Sequence, residues 1–103
     1  MPSGRYLRTL ASTVTVLLLP GAAHAQLAPE AMKQAQLNFT TANASGSGVL
    51  AVGEFRTFID LNAASGIGRA AKIKSNNAYD RAFGRVDANK DGVITWQEYL
   101  AAQ

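Results

Sequence analysis

The sequence predicts a small all-α protein in which, after an N-terminal signal helix, four short helices flank two loops. Three observations carry this prediction. The chain repeats itself at a spacing of 44 residues, apolar residues recur at helical spacing beside each loop, and one twelve-residue loop is dense in oxygen-bearing side chains. A chain of 103 residues allows one small domain. We expect the signal at 1–25 and the helical domain at 26–103.

The N-terminal segment is typical of a secretory signal peptide. Arg5 and Arg8 precede an apolar run that ends at Pro20, and Ala23–Ala25 is a small-residue cleavage pattern. The apolar run is about half of the ~20 residues that a membrane-spanning helix needs. We therefore expect cleavage after Ala25, no stable membrane insertion after cleavage, and an exported protein that is periplasmic or secreted.

Composition limits the chemistry of the cleaved chain. There is no cysteine, and the single histidine, His24, lies in the signal. Zinc, haem, iron–sulfur and thiol sites therefore lack their usual ligands, so a metal site has to use oxygen atoms. Ten basic residues oppose seven acidic ones, and Arg5 and Arg8 leave with the signal. The remaining near-neutral charge does not favour nucleic acid as a partner. No paired acidic residues lie outside the loops, and we expect no enzymatic activity.

The internal repeat relates the two halves of the domain. The two copies agree at a loop glycine, at the final glutamate of the loop and at the aromatic residues on both sides of the loop. Such self-similarity indicates two copies of one structural unit. The matched pairs are Phe39 with Phe83, Gly48 with Gly92, Leu50 with Ile94, Glu54 with Glu98, and Phe55 with Tyr99.

Apolar spacing predicts a helix on each side of each loop. The first helix is expected to open near Pro29, because proline suits a first helical turn. In the second half, Ser75 or Asn76 is expected to cap the helix before the loop, and a short helix should follow Glu98. The expected apolar faces are Met32, Ala35, Phe39 and Ala42, then Phe55, Phe58 and Ile59, and then Tyr79, Ala82, Phe83 and Val86.

The segment between the halves is expected to be a linker. Gly66 and Gly68 indicate that the preceding helix ends before them. Arg69, Lys72 and Lys74 form a small basic cluster, which is either a solvated surface or a contact for an acidic partner or lipid headgroups.

The chemistry of the segment 87–98 favours calcium. Ca²⁺ takes six to eight oxygen ligands in a flexible shell, and side chains two residues apart can point to one ion. Gly92 permits the sharp turn that follows the first ligands. The expected ligands are Asp87, Asn89 and Asp91, the backbone carbonyl of Val93, Thr95 through a water, and both carboxylate oxygens of Glu98.

This segment resembles the loop of the EF-hand calcium-binding family. It matches the pattern D-x-[DN]-x-[DN]-G-x₅-E, with Phe83 before the loop, Ile94 at its centre and Tyr99 after it. The resemblance covers about Pro29 to Gln103. It implies that two hands pair, with Leu50 and Ile94 joined as a short antiparallel β-bridge.

The segment 43–54 departs from this pattern. Neutral oxygens replace the acids, and Glu54 is its one charged residue. Because ligand charge tunes calcium affinity, this loop is either a weak second metal site or a degenerate hand kept for the fold, with Gly48 at its turn. Its candidate ligands are Asn43, Ser45, Ser47, Val49 and Glu54.

The resemblance implies a calcium-binding protein that acts as a buffer, a sensor or a calcium-stabilised interaction module, and the signal segment predicts that it is exported. The alternative is a dockerin-like or other calcium-dependent adhesion module, whose loops also contain Asp-x-Asn-x-Asp-Gly. Dockerin repeats are shorter and lack the helix before the loop. An unidentified protein partner is left open.

Overall fold

The computed structural model describes residues 27–103, which form an all-α domain. The expected signal segment lies outside the described residues. Within 27–103 the chain forms five helices and no β-strand. These are α1 (Pro29–Ala42), α2 (Val52–Ala64), α3 (Ala70–Ser75), α4 (Tyr79–Val86) and α5 (Trp96–Ala101).

Helix α2 is the centre of the domain, since α1, α3 and α4 all pack against it. It contributes Phe55, Phe58 and Ile59, each at most 3% exposed. Their spacing of three and four residues places them on one helical face. Phe58 contacts Phe39 of α1 and Tyr99 of α5 edge-on, with ring centroids 5.5 and 4.8 Å apart. The two halves of the chain therefore share one aromatic core.

The two loops meet at a single pair of residues. Leu50 and Ile94 exchange backbone hydrogen bonds of 2.8 Å in each direction, as an isolated antiparallel bridge. Both side chains are fully buried. Because the bridge joins the two loops and both of its side chains belong to the core, it fixes the position of each loop relative to the other.

Three details differ from the sequence-based expectations. The linker contains the additional helix α3, so the described chain has five helices rather than four. Ser75 ends α3 instead of capping the next helix, which begins at Tyr79 after a turn through Asn77 at φ 51°. Met32 is 37% exposed rather than part of the core, whereas Ala35 and Phe39 on the same helix are buried.

Candidate metal centre

The loop that follows α4 is organised around the carboxylate of Asp87. The backbone N–H of Asp87 still bonds to Phe83 as the last turn of the helix. Its side chain then accepts hydrogen bonds from the N–H groups of Asp91 (3.2 Å) and Gly92 (2.9 Å). Gly92 has φ 89°, a value that favours glycine. Asp87 is only 4% exposed, so a buried carboxylate lies at the start of the loop.

The end of the loop is fixed by a reciprocal helix cap. The hydroxyl of Thr95 accepts a hydrogen bond from the N–H of Glu98, and the carboxylate of Glu98 accepts one from the N–H of Thr95, each at 3.0 Å. This is a capping box, which satisfies two donors at the start of α5. It holds the Glu98 carboxylate at the loop rather than in solvent. The observed contacts of Thr95 are therefore those of a helix cap.

These two anchors bring three carboxylates together. One carboxylate oxygen each from Asp87, Asp91 and Glu98 lies within 4.8 Å of the other two. Carboxylates accept hydrogen bonds but cannot donate them when ionised, and like charges repel at this distance. A cation among the three oxygens would relieve that repulsion, so the donor set fits a hard metal ion.

The remaining predicted ligands lie on the same loop. The side-chain oxygen of Asn89 accepts from the Asp91 N–H at 3.3 Å, and the Asn89 N–H points to Glu98 at 3.4 Å. Val93 is half-buried, and its N–H donates to Asp91 at 3.2 Å. Lys90 turns away, because its ammonium donates to the backbone carbonyl of Gly84. Its charge therefore does not neutralise the carboxylates.

The loop 43–54 follows a similar path with different chemistry. Gly48 has φ 86°, close to the value at Gly92. The Glu54 carboxylate accepts from the N–H groups of Ser45 and Ala51, each at 2.9 Å. The bond from Ala51, then those from the N–H and hydroxyl of Ser45, lower the pKa of Glu54.

Hydroxyl groups fill the centre of the loop 43–54. The Ser45 hydroxyl donates to Ser47 at 3.0 Å, and the Ser47 hydroxyl donates to the Val49 carbonyl at 2.9 Å. The Asn43 side-chain oxygen lies 3.4 Å from both hydroxyls. Serine can donate and accept, so these oxygens satisfy one another without a cation. The three carboxylates of the other loop accept hydrogen bonds from loop N–H groups and from the Thr95 hydroxyl, but when ionised none of them can donate to another.

A buried polar chain behind the loops was missed by the sequence analysis. The amide of Asn38 donates to Asn62 at 2.9 Å, and the amide of Asn62 donates to the Tyr99 hydroxyl at 3.2 Å. It joins α1, α2 and α5. Burial raises the pKa of Tyr99 to about 12, although the bond from Asn62 lowers it in part. Asn62 lies four residues after Phe58, and this spacing was the available signal that it faces the core.

Trp96 connects the loop 87–98 with the core. It is the first residue of α5 and is half-buried. Its ring lies edge-on to Phe39, with centroids 5.6 Å apart, and tilted against Tyr99 at 5.4 Å. Because it stands between two predicted ligands in sequence, its fluorescence should respond to changes in the loop.

Comparison with known proteins gives no relative from which to transfer a function: no protein-family model matches the chain, and neither curated proteins nor solved structures give a significant match. None of the helices in 27–103 has the length and apolar character required to cross a membrane.

Proposed function

We propose that this chain is an exported calcium-binding protein of the EF-hand type that holds one Ca²⁺ in the loop 87–98. The observation that carries the proposal is the convergence of carboxylate oxygens from Asp87, Asp91 and Glu98 within 4.8 Å of one another. The proposed ligands are those predicted from the sequence, with Asn89 and the Val93 carbonyl beside the three carboxylates and Thr95 reaching the ion through a water.

Calcium is preferred over magnesium for a chemical reason. Mg²⁺ demands near-ideal octahedral geometry with short bonds and gives up its waters reluctantly. A loop that mixes carboxylate, amide and carbonyl oxygens suits the larger and more flexible shell of Ca²⁺. The affinity needed by an exported protein is modest, roughly 10⁻⁴–10⁻³ M for extracellular modules.

The loop 43–54 is proposed as the structural partner of the metal-binding loop. The bridge between Leu50 and Ile94 supports pairing of the loops. The network of Asn43, Ser45 and Ser47 supports a loop that is already satisfied without an ion. Any ion bound there would be held more weakly, because Glu54 is its one carboxylate.

The alternative of a dockerin-like adhesion module receives less support. The helix α4 precedes the loop 87–98, and a glutamate closes that loop at the first turn of α5. Both features accord with the EF-hand pattern. Export to the periplasm or the medium belongs to the same proposal and rests on the sequence of residues 1–25.

The test is a titration of the cleaved domain that follows Trp96 fluorescence and heat of binding in parallel. We expect Ca²⁺ and Tb³⁺ to change the emission with one-to-one stoichiometry, and Mg²⁺ to bind more weakly. A flat calorimetric trace and an unchanged emission with every ion would overturn the proposal. Stoichiometry of two would instead overturn the assignment of the loop 43–54 as a structural partner.

A further inference from the structure

A cavity of about 140 Å³ opens on the side of the domain formed by α2, α3, α4 and α5. Its lining includes none of the predicted metal ligands, so it is separate from the proposed calcium site. Its apolar wall includes Phe55 and Ile59 of α2, Ile73 of α3 and Val86 of α4. The helix α3, which the sequence analysis did not predict, therefore forms one side of the cavity.

The charged side chains that line this cavity all have the same sign. Arg69, Lys72, Arg81 and Arg85 contribute to the lining, and no Asp or Glu side chain does. All four are exposed. The one ion pair within residues 27–103 joins Arg56 to Asp80, which are not part of the lining. We call the apolar cavity with these four cations the basic pocket.

The dimensions and charge of the basic pocket favour one class of occupant. A cavity of this volume accepts a single apolar group of about the size of a leucine or phenylalanine side chain, as engineered cavities of roughly 150 Å³ accept benzene. The two cations at α3 and the two on α4 together carry more positive charge than one headgroup neutralises. We propose that the basic pocket binds a protein segment with one apolar anchor side chain between acidic residues.

The chain's own N-terminal segment is a poor candidate for this occupant. Residues 1–26 contain Arg5 and Arg8 and no acidic residue. Their charge repels the four cations of the basic pocket. A fatty acid is also a poorer fit, since it offers one carboxylate and a long chain to a small cavity. Charge complementarity therefore points to a separate acidic partner.

The test uses a fluorescein-labelled nine-residue peptide with a central phenylalanine and four glutamates on each side. Its binding to the full domain is followed by fluorescence anisotropy, once with Ca²⁺ and once with chelator. We expect saturable binding that weakens with added salt, because exposed charges are screened. The same peptide with a central alanine should bind at least about tenfold more weakly, since it loses the anchor.

Variants of the protein locate the binding site. Exchange of both Arg81 and Arg85 for Glu should weaken peptide binding by about tenfold or more. Lys33→Glu reverses one charge on α1, outside the pocket lining, and is the matched control for Arg85→Glu, which reverses one charge within the lining; the control should bind the peptide almost like the unchanged protein. Ala102→Trp places a large ring at an exposed position of the lining and should reduce binding, while circular dichroism verifies the fold.

Several results would overturn this proposal. The first is that the peptide does not bind at millimolar concentration. The second is that the peptide with central alanine binds as tightly as the peptide with central phenylalanine. The third is that Lys33→Glu weakens peptide binding as much as the exchange of Arg81 and Arg85 does. Binding of anionic phosphatidylglycerol vesicles or decanoate without binding of the peptide would overturn the choice of a protein segment. The calcium titration is a separate measurement, so failure of either proposal is distinguishable from failure of the other.

Discussion

Glu98 belongs both to the carboxylate cluster and to the cap of α5. One substitution can test the first role while the domain stays folded. The Glu98 carboxylate joins the cluster with Asp87 and Asp91 and accepts a hydrogen bond from the Thr95 N–H, and the backbone N–H of Glu98 donates to the Thr95 hydroxyl. We predict that Glu98→Gln keeps the backbone half of the cap and weakens Ca²⁺ binding by about two orders of magnitude, because both ligand charge and bidentate closure are lost. Isothermal titration calorimetry measures this change.

The matched control is Glu54→Gln at the equivalent position of the loop 43–54. Both glutamates accept hydrogen bonds from two loop N–H groups. If Ca²⁺ occupies the loop 87–98 alone, the control should change calcium affinity by less than about threefold. A larger loss of calcium affinity in Glu54→Gln than in Glu98→Gln would place the ion in the loop 43–54 and contradict the proposal.

Tyr99 makes the stability of the domain sensitive to alkaline pH. Burial raises its pKa from 10.0 in the unfolded chain to about 12. The neutral phenol is therefore favoured by folding. The stability that the neutral phenol contributes is fully present below pH 10 and is lost as the pH rises toward 12. The free energy of unfolding should be lower by on the order of 2 kcal/mol at pH 12. Urea unfolding at a series of pH values measures this decline.

Tyr99→Phe is the control for that pH dependence. It removes the titrating hydroxyl together with its bond to Asn62, so the variant should be less stable at pH 8. Between pH 10 and 12 its stability should fall less steeply than that of the unchanged protein. Tyr79→Phe is measured beside it, because the bond to Asp60 also raises the pKa of Tyr79. If the stability of Tyr99→Phe and of the unchanged protein fell equally steeply between pH 10 and 12, the pH dependence could not be assigned to Tyr99.

At the scale of helices and loops, the bridge between Leu50 and Ile94 couples the two halves. Ile94 is fully buried, and an aspartate there has no partner. We predict that Ile94→Asp destabilises the domain by about 3 kcal/mol or more and lowers calcium affinity, although every proposed ligand is retained. Chemical denaturation and a calcium titration measure the two effects.

Val52→Asp is the matched control for the coupling. Val52 is 43% exposed at the first position of α2, where a carboxylate is favoured by the helix dipole. This variant should fold and bind Ca²⁺ like the unchanged protein. Unchanged calcium affinity in a folded Ile94→Asp protein would show that the loops are independent.

The helices beside the loops were predictable because their apolar residues recur with helical spacing over more than one turn. Pro29 marked the start of α1, and Phe55, Phe58 and Ile59 marked the buried face of α2. The short helix α3 was not predictable in the same way. It has six residues, too few to establish a period, and it follows Gly66 and Gly68, which indicate a break. Its burial of Ala70 against the core is a tertiary effect.

The candidate site was predictable in part for a related reason. Ligand spacing within twelve residues is local, so the acids of the loop 87–98 could be identified without knowledge of the fold. The chain from Asn38 through Asn62 to Tyr99 joins residues far apart in sequence. Asparagine on a helix is usually solvated, and its burial here depends on partners that the sequence does not display.

At the scale of the whole molecule, a small domain without disulfides depends on few sources of stability. A ligand that binds the folded state alone contributes about 2.7 kcal/mol when its concentration is 100 times the dissociation constant. For a domain of this size, such a contribution corresponds to a rise of roughly 10–20 °C in melting temperature. We therefore predict that Ca²⁺ orders this domain more than it switches it between two folded forms.

Circular dichroism melts of the cleaved domain, with saturating Ca²⁺ and with chelator, test this prediction. We expect the metal-free form to have less helix and a lower, broader transition, because the three carboxylates repel one another. Glu98→Gln should abolish most of the calcium-dependent rise, and Mg²⁺ at the same ionic strength should produce a smaller one. A metal-free domain that is fully helical, cooperative and equal in melting temperature to the calcium form would show that the ion has no stabilising role.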